Sequence, residues 1–166
     1  MRKEIVELRK LMASDGIDAY YVPSGDFHGS EYVNAFFRTR AFLSGFTGSA
    51  GDLLVTAEGA WLWTDGRYFL QASKQLEGSG IELMKMGEEG VPAIEEFLLA
   101  EAEKKDGFVI GFDGRVVPSG FTNKLKEKLE EAGCKASFST GKDLGGEVWK
   151  DRPEIKLPGR ARRVIL

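Results

Sequence analysis

Apolar and polar residues follow two different periods along this chain, and these periods predict its helices and strands. Helical spacing of the apolar residues predicts helices at 3–15, 66–76 and 93–105, and one from Pro118 to a stop at Gly133. Short apolar runs between glycine, proline or polar residues predict strands at 17–22, 52–56, 60–64, 81–84, 108–112 and 136–138. Residues 31–43 fit either a helix or an irregular segment, and residues 143–149 form a further short element.

The runs at 52–56 and 60–64 predict a β-hairpin, because only a short connector ending in Gly59 joins them. Elsewhere helices alternate with strands, which is typical of an α/β domain. An antiparallel hairpin within such an alternation predicts a mixed β-sheet with helices on both faces. Trp61 and Trp63 share one face of the second hairpin strand, which favours a place in the core or in an interface.

Composition narrows the class of protein. A length of 166 residues is typical of one domain, and a net charge of -3 argues against a nucleic-acid or membrane partner. No apolar run approaches the length of a membrane-spanning helix. Cys134 is the single cysteine and cannot form an internal disulfide, and the charged N-terminus does not resemble a signal peptide. These features predict a soluble, cytoplasmic protein.

A glycine-rich turn precedes the hairpin. Gly45, Gly48 and Gly51 have the spacing GxxGxxG, and a strand follows them. A dinucleotide-binding fingerprint needs the spacing GxGxxG and a following helix, and a P-loop needs a Gly-Lys-Ser/Thr string, which is missing here. The pattern therefore favours a tight turn that packs closely against neighbouring backbone.

A serine hydrolase is one alternative, with Ser49 as the nucleophile and His28 as the base. The nucleophile elbow GxSxG is incomplete, because Thr47 stands where its first glycine belongs. His28 is the single histidine, and either Asp26 or Asp65 could orient it. One histidine also supplies too few ligands for a stable metal site.

The segment that follows the hairpin is the most polar candidate. Asp65 can cap the helix that starts here and can pair with Arg67 or Arg40. Such a pair would either pin the hairpin to the helix or hold an arginine ready for a peptide carboxylate or a facing subunit. Arg38 has the same two interpretations, and both remain open.

Longer sequence blocks carry a resemblance to a known family. Several such blocks in one order are more specific than a single short motif. Between roughly residues 17 and 154 the blocks are VPSGDFHGSEYV, RAFLSGFTGSAG, WTDGRYFLQASKQL, LMKMG and VWKDRPE. In them the chain resembles the N-terminal domain of Xaa-Pro aminopeptidases (aminopeptidase P), of the creatinase/prolidase N-terminal family. It is most similar to the long, three-domain, cytosolic type.

The resemblance implies an α/β three-layer sandwich of the ribonuclease-H-like type, with a mixed β-sheet and helices on both faces. It assigns residues 1–154 to this domain and residues 155–166 to a tail or to the start of a linker. Members of the family cleave the bond before a proline at the second position of a peptide. They use two manganese ions in a C-terminal catalytic domain. No residue of this chain matches a family catalytic or metal-binding residue, so we expect neither metal binding nor catalysis by this chain alone.

The implied role is dimerisation and control of substrate access in a cytoplasmic homodimer. Its partners would be its own C-terminal domains and the peptide substrate, with no nucleic acid and no membrane. A stand-alone binding module of the same fold is the main alternative, and the Ser49/His28 hydrolase is the other. The candidates for the surface that faces the substrate channel or the partner subunit are His28, Arg38, Arg40, Asp65, Arg67 and Tyr68.

Overall fold

The computed structural model describes residues 2–23, 39–48, 50–114, 117, 119–141 and 143–149. The strands in these ranges are β1 (Ala19–Val22), β2 (Asp52–Thr56), β3 (Ala60–Thr64), β4 (Glu82–Lys85), β5 (Phe108–Gly111) and β6 (Ala136–Ser139). The helices are α1 (Lys3–Asp15), α2 (Phe69–Gln75), α3 (Ile94–Ala102), α4 (Ser119–Glu131) and α5 (Leu144–Val148). Residues 39–44 are also helical. Each predicted strand is therefore present, with ends that differ by at most two residues.

The described strands form one mixed sheet in the order β4-β3-β2-β1-β5-β6. The hairpin strands β2 and β3 are antiparallel, as are β1 and β2, whereas β4, β5 and β6 run parallel to the strands they join. In the hairpin, Asp52 lies opposite Trp63. Because opposite residues place their side chains on the same face, Asp52 and Trp63 are neighbours on one side of the sheet.

Helices cover both faces of the sheet, and each face buries its own core. The first core joins α1, α2, α5 and the helical residues 39–44 to the sheet through Ile5, Leu8, Leu43, Leu53, Val55, Leu62, Ala72 and Leu144. The second core joins α3 and α4 to the opposite face through Ala19, Tyr21, Leu54, Trp63, Ile94, Leu98, Ile110, Leu125 and Leu129. The predicted fold class, a mixed sheet between two helical layers, is confirmed.

The helix predicted at 66–76 differs from the structure in two respects. Its first turn, Gly66–Tyr68, is a 3-10 turn, and α2 begins after it. The spacing of Phe69, Leu70, Ala72 and Leu76 is also that of residues that could face the sheet. For Leu70 this expectation is wrong, because the residue is 70% exposed. Two positions along a helix span about 200°, so the burial of Ala72 turns Leu70 towards the outside.

A buried arginine holds the glycine-rich turn in place. Arg40, in the helical segment before the turn, is 0% exposed. Its Nη1 donates a hydrogen bond of 2.8 Å to the carbonyl oxygen of Gly51, and its Nη2 donates to the carbonyl oxygen of Gly48. A charged donor forms stronger hydrogen bonds than a neutral one. One guanidinium therefore satisfies two interior carbonyl groups and fixes the shape of the turn.

The turn closes so tightly around this arginine that a Cβ would overlap its neighbours at Gly48 and would be crowded at Gly51. A Cβ at Gly48 would meet the Phe46 ring and would lie 2.9 Å from Cδ1 of Tyr68. A Cβ at Gly51 would lie 3.2 Å from the carbonyl oxygen of Trp63. These close approaches are the reason for glycine here, and they confirm the prediction of a tight turn against neighbouring backbone.

Replacement of Arg40 by methionine tests this arrangement. Methionine has a similar length but donates no hydrogen bond, so two interior carbonyl groups lose their partner. We expect the free energy of unfolding of R40M to fall by about 2 to 3 kcal/mol, measured by urea denaturation followed through tryptophan fluorescence.

The matched control is R67M, which removes an exposed arginine from the neighbouring segment. We expect it to change the free energy of unfolding by no more than about 0.5 kcal/mol. If R40M is as stable as R67M, the Arg40 hydrogen bonds do not hold the turn.

Candidate functional surface

The structure describes four of the six predicted surface residues. His28 and Arg38 lie outside the described residues, and so does Ser49. The hydrolase hypothesis, which needs Ser49 next to His28, therefore stays a prediction. Arg40, Asp65, Arg67 and Tyr68 can be placed, and the last three lie together.

Asp65 and Arg67 form a closed pair at the end of the hairpin. The carboxylate of Asp65 accepts the backbone N–H of Arg67 at 3.0 Å and so caps the 3-10 turn. It also accepts two side-chain bonds from Arg67, from Nε at 3.0 Å and from Nη2 at 2.8 Å. These hydrogen bonds from Arg67 lower the pKa of Asp65. The predicted cap and the predicted pair of Asp65 with Arg67 are confirmed.

Tyr68 supports the same guanidinium from a second direction. Cζ of Arg67 lies 5.1 Å from the centre of the Tyr68 ring, a cation–π distance. Tyr68 in turn meets the buried ring of Phe46 edge to face, with ring centres 5.9 Å apart. The Arg67 side chain nevertheless remains 69% exposed. Arg67 is thus paired with Asp65 and packed on Tyr68, while most of its side chain stays exposed.

An apolar side chain lies close to this pair in the sequence. Leu70 is the most exposed of the large apolar residues in the described part of the chain. We call Asp65, Arg67 and Leu70 the Arg67 surface. Arginine is enriched at protein interfaces, and the exposed leucine adds apolar area beside it.

Arg40 does not belong to this surface. The sequence places it among the surface candidates, whereas the structure buries its side chain completely inside the glycine-rich turn. Burial lowers the pKa of Arg40 to about 10, and the negative charge of Asp52 partly opposes this shift. The guanidinium is therefore still charged at neutral pH, and the carbonyl groups of the turn take the place of water.

The described residues present neither a cluster of metal ligands nor a membrane-spanning helix. In the part of the chain that the structure describes, no three His, Cys, Asp or Glu side chains come close enough to hold a metal ion. The same residues include no helix with the length and apolar character to cross a membrane. The described residues therefore do not fit a two-metal centre.

Sequence reasoning missed a second feature, a cleft of about 330 Å³ at the start of α3. Its lining includes Asp52, Trp63, Pro92, Glu95 and Glu96. The local signal was the acidic, glycine-containing string MGEEGVPAIEE at 86–96. That string alone does not reveal that Asp52 and Trp63 of the hairpin lie next to it.

Proteins of known name resemble this chain over almost its whole length. A probable Xaa-Pro aminopeptidase P from Talaromyces marneffei is 42% identical over 163 residues, which are 98% of this chain and 24% of that protein. Aminopeptidase P2 from Arabidopsis thaliana is 41% identical over 165 residues, which are 98% of this chain and 22% of that protein. The chain therefore spans about a quarter of the length of these relatives.

Solved structures show the same fold. The X-prolyl aminopeptidase of Caenorhabditis elegans, described as a cytosolic enzyme with a di-nuclear active site, has a TM-score of 0.78 and 35% identity. That match covers 93% of this chain and 26% of the worm protein. The N-terminal domain of the cytoplasmic peptidase PepQ from Mycobacterium tuberculosis has a TM-score of 0.63 and 26% identity. It matches over 89% of this chain and 99% of its own length, so it is a solved domain of similar extent.

The family itself is recognised over most of the chain. The model of the Creatinase/Prolidase N-terminal domain matches residues 5–151. This range includes the sheet, both helical layers and the Arg67 surface. The chain therefore belongs to the Creatinase/Prolidase N-terminal domain family.

Proposed function

We propose that this chain is the non-catalytic N-terminal domain of a manganese-dependent Xaa-Pro aminopeptidase, which removes the N-terminal residue before a proline. The observation that carries this proposal is the 42% identity to a protein named as a probable Xaa-Pro aminopeptidase P, of which the chain spans 24%. The activity of the whole enzyme would then depend on sequence that this chain does not span.

The proposal assigns the metal-binding residues to the rest of the enzyme and a recognition surface to this chain. Hydrolysis by a two-metal centre needs several carboxylate or imidazole ligands around both ions. The described residues bring no such group together. We therefore propose that the two manganese ions bind in a catalytic domain of the longer enzyme, as the family resemblance implies. What this chain contributes is a protein surface rather than a reacting group.

The proposed role of that surface is to form the homodimer and to narrow access to the active site. Arg67 is held by Asp65 and Tyr68 in one orientation, and Leu70 lies exposed three positions later. A fixed guanidinium loses little conformational freedom when it binds a carboxylate of a partner subunit or of a peptide. His28 and Arg38 remain candidates for the same surface. By likeness to the cytosolic worm enzyme, we place the whole protein in the cytoplasm.

Cleavage of an Xaa-Pro peptide tests the proposed activity. We expect the full-length gene product to release the first residue in the presence of Mn²⁺ and to lose this activity with a chelator. The purified chain of 166 residues should release none under the same conditions, measured by chromatography of the products. Cleavage by the chain alone would show that it carries catalytic groups. It would refute the proposal that catalysis needs another domain.

Replacement of Leu70 by glutamate tests the proposed dimer contact. A carboxylate buried without a partner at an interface costs about 2 kcal/mol or more, so L70E should weaken dimerisation of the full-length protein at least about tenfold. Sedimentation equilibrium measures the dissociation constant directly.

The matched control is V6E, which places the same charge at another exposed apolar position, on α1. We expect this variant to remain a dimer. If the unmodified protein is a monomer, or if L70E dimerises as tightly as V6E, Leu70 is not part of a dimer contact.

A further inference from the structure

The cleft at the start of α3 is a separate feature from the Arg67 surface. It lies where the hairpin meets the loop that leads into α3, and neither Arg67 nor Leu70 lines it. Its volume of about 330 Å³ is within the range of sites that hold small ligands or single side chains. The cleft is therefore separate from the surface to which the proposed aminopeptidase role is assigned.

The floor of the cleft is apolar and fixed. The indole Nε1 of Trp63 donates a hydrogen bond of 2.9 Å to the carbonyl oxygen of Pro92, which ties the loop to the sheet. The Trp63 ring also meets Phe97 of α3 edge to face, with ring centres 5.2 Å apart. Pro92 and the exposed Met86 line the cleft together with Trp63. The apolar lining is thus held in place by contacts within the domain.

The rim of the cleft is negatively charged. Asp52, Glu95 and Glu96 line it, and among the described residues no lysine or arginine does. Asp52 interacts electrostatically with the buried Arg40, so its charge is partly compensated. Glu95 and Glu96 stand in the first turn of α3 and contribute most of the remaining charge. Exposed Glu88 and Glu89 in the adjacent loop add to it.

The charges of the rim also affect the pKa of the buried hydroxyl of Tyr21. Burial raises the pKa of Tyr21 well above its ordinary value, and Asp52 and Glu95 raise it further. Asp52 and Glu95 come from different elements, β2 and α3, yet both act on this one group. Both carboxylates therefore lie within electrostatic range of this hydroxyl.

We propose that this cleft binds an arginine or lysine side chain from a basic polypeptide segment. Such a side chain has an apolar stem and a charged end group. The stem matches the floor at Met86 and Pro92, and the end group matches the carboxylates of Glu95 and Glu96. A free amino acid fits less well, because its own carboxylate would meet the acidic rim. Acidic peptides and phosphate-bearing ligands are repelled for the same reason.

Titration of the 166-residue chain with two short peptides tests the proposal. The solved N-terminal domain of PepQ indicates that a domain of this extent can be studied alone. The probes are acetyl-Arg-Leu-Arg-amide and its neutral counterpart acetyl-Gln-Leu-Gln-amide. The readout is the NMR chemical shift of the Trp63 indole N–H and of the backbone amides at 86–96. We expect the basic peptide to shift these signals and the neutral one to bind at least about tenfold more weakly.

Two double variants with the same change of charge locate the site. Glu95→Gln with Glu96→Gln should weaken the basic peptide about tenfold, because its end group loses both carboxylates. Glu127→Gln with Glu130→Gln, on exposed positions of α4, should leave the affinity unchanged. Equal binding of the two peptides, equal weakening by both variants, or no shift at about 10 mM peptide would each overturn the proposal.

Discussion

The geometry of the Arg67 surface depends on the hydrogen bonds that the buried guanidinium of Arg40 donates. It binds the carbonyl groups of Gly48 and Gly51, and so closes the glycine-rich turn around itself. The closed turn keeps Phe46 in the interior, where its ring meets Tyr68. Tyr68 then supports the guanidinium of Arg67. The buried charge of Arg40 thereby sets, through Phe46 and Tyr68, the position of the exposed charge of Arg67.

The domain presents two surfaces of different chemistry. The Arg67 surface offers a fixed cation beside an exposed leucine, whereas the cleft at α3 offers carboxylates around an apolar floor. Both surfaces depend on the hairpin, because Asp65 follows β3 directly and Trp63 lies within it. The hairpin thus positions residues of both proposed surfaces.

Local pattern was enough to predict the strands, the hairpin and α1, because each depends on the spacing of apolar residues within a short segment. It also predicted the cap that Asp65 provides, which acts two residues away. Local pattern did not predict that Arg40 is the hydrogen-bond donor to the glycine-rich turn, because these hydrogen bonds form only in the tertiary fold. The orientation of Leu70 was missed because two positions on a helix point to opposite sides. The cleft was missed because Asp52 and Glu95 line the same cleft only when α3 packs on the sheet.

The mass of the native gene product tests most directly whether this domain works within a longer peptidase. An antibody raised against the chain would detect that product in extracts of the source cell. Since the chain spans 24% of a relative such as the Talaromyces protein, a product several times heavier than 18.3 kDa is the expected result. A product of 18.3 kDa would contradict that expectation and would favour a stand-alone binding module of the same fold.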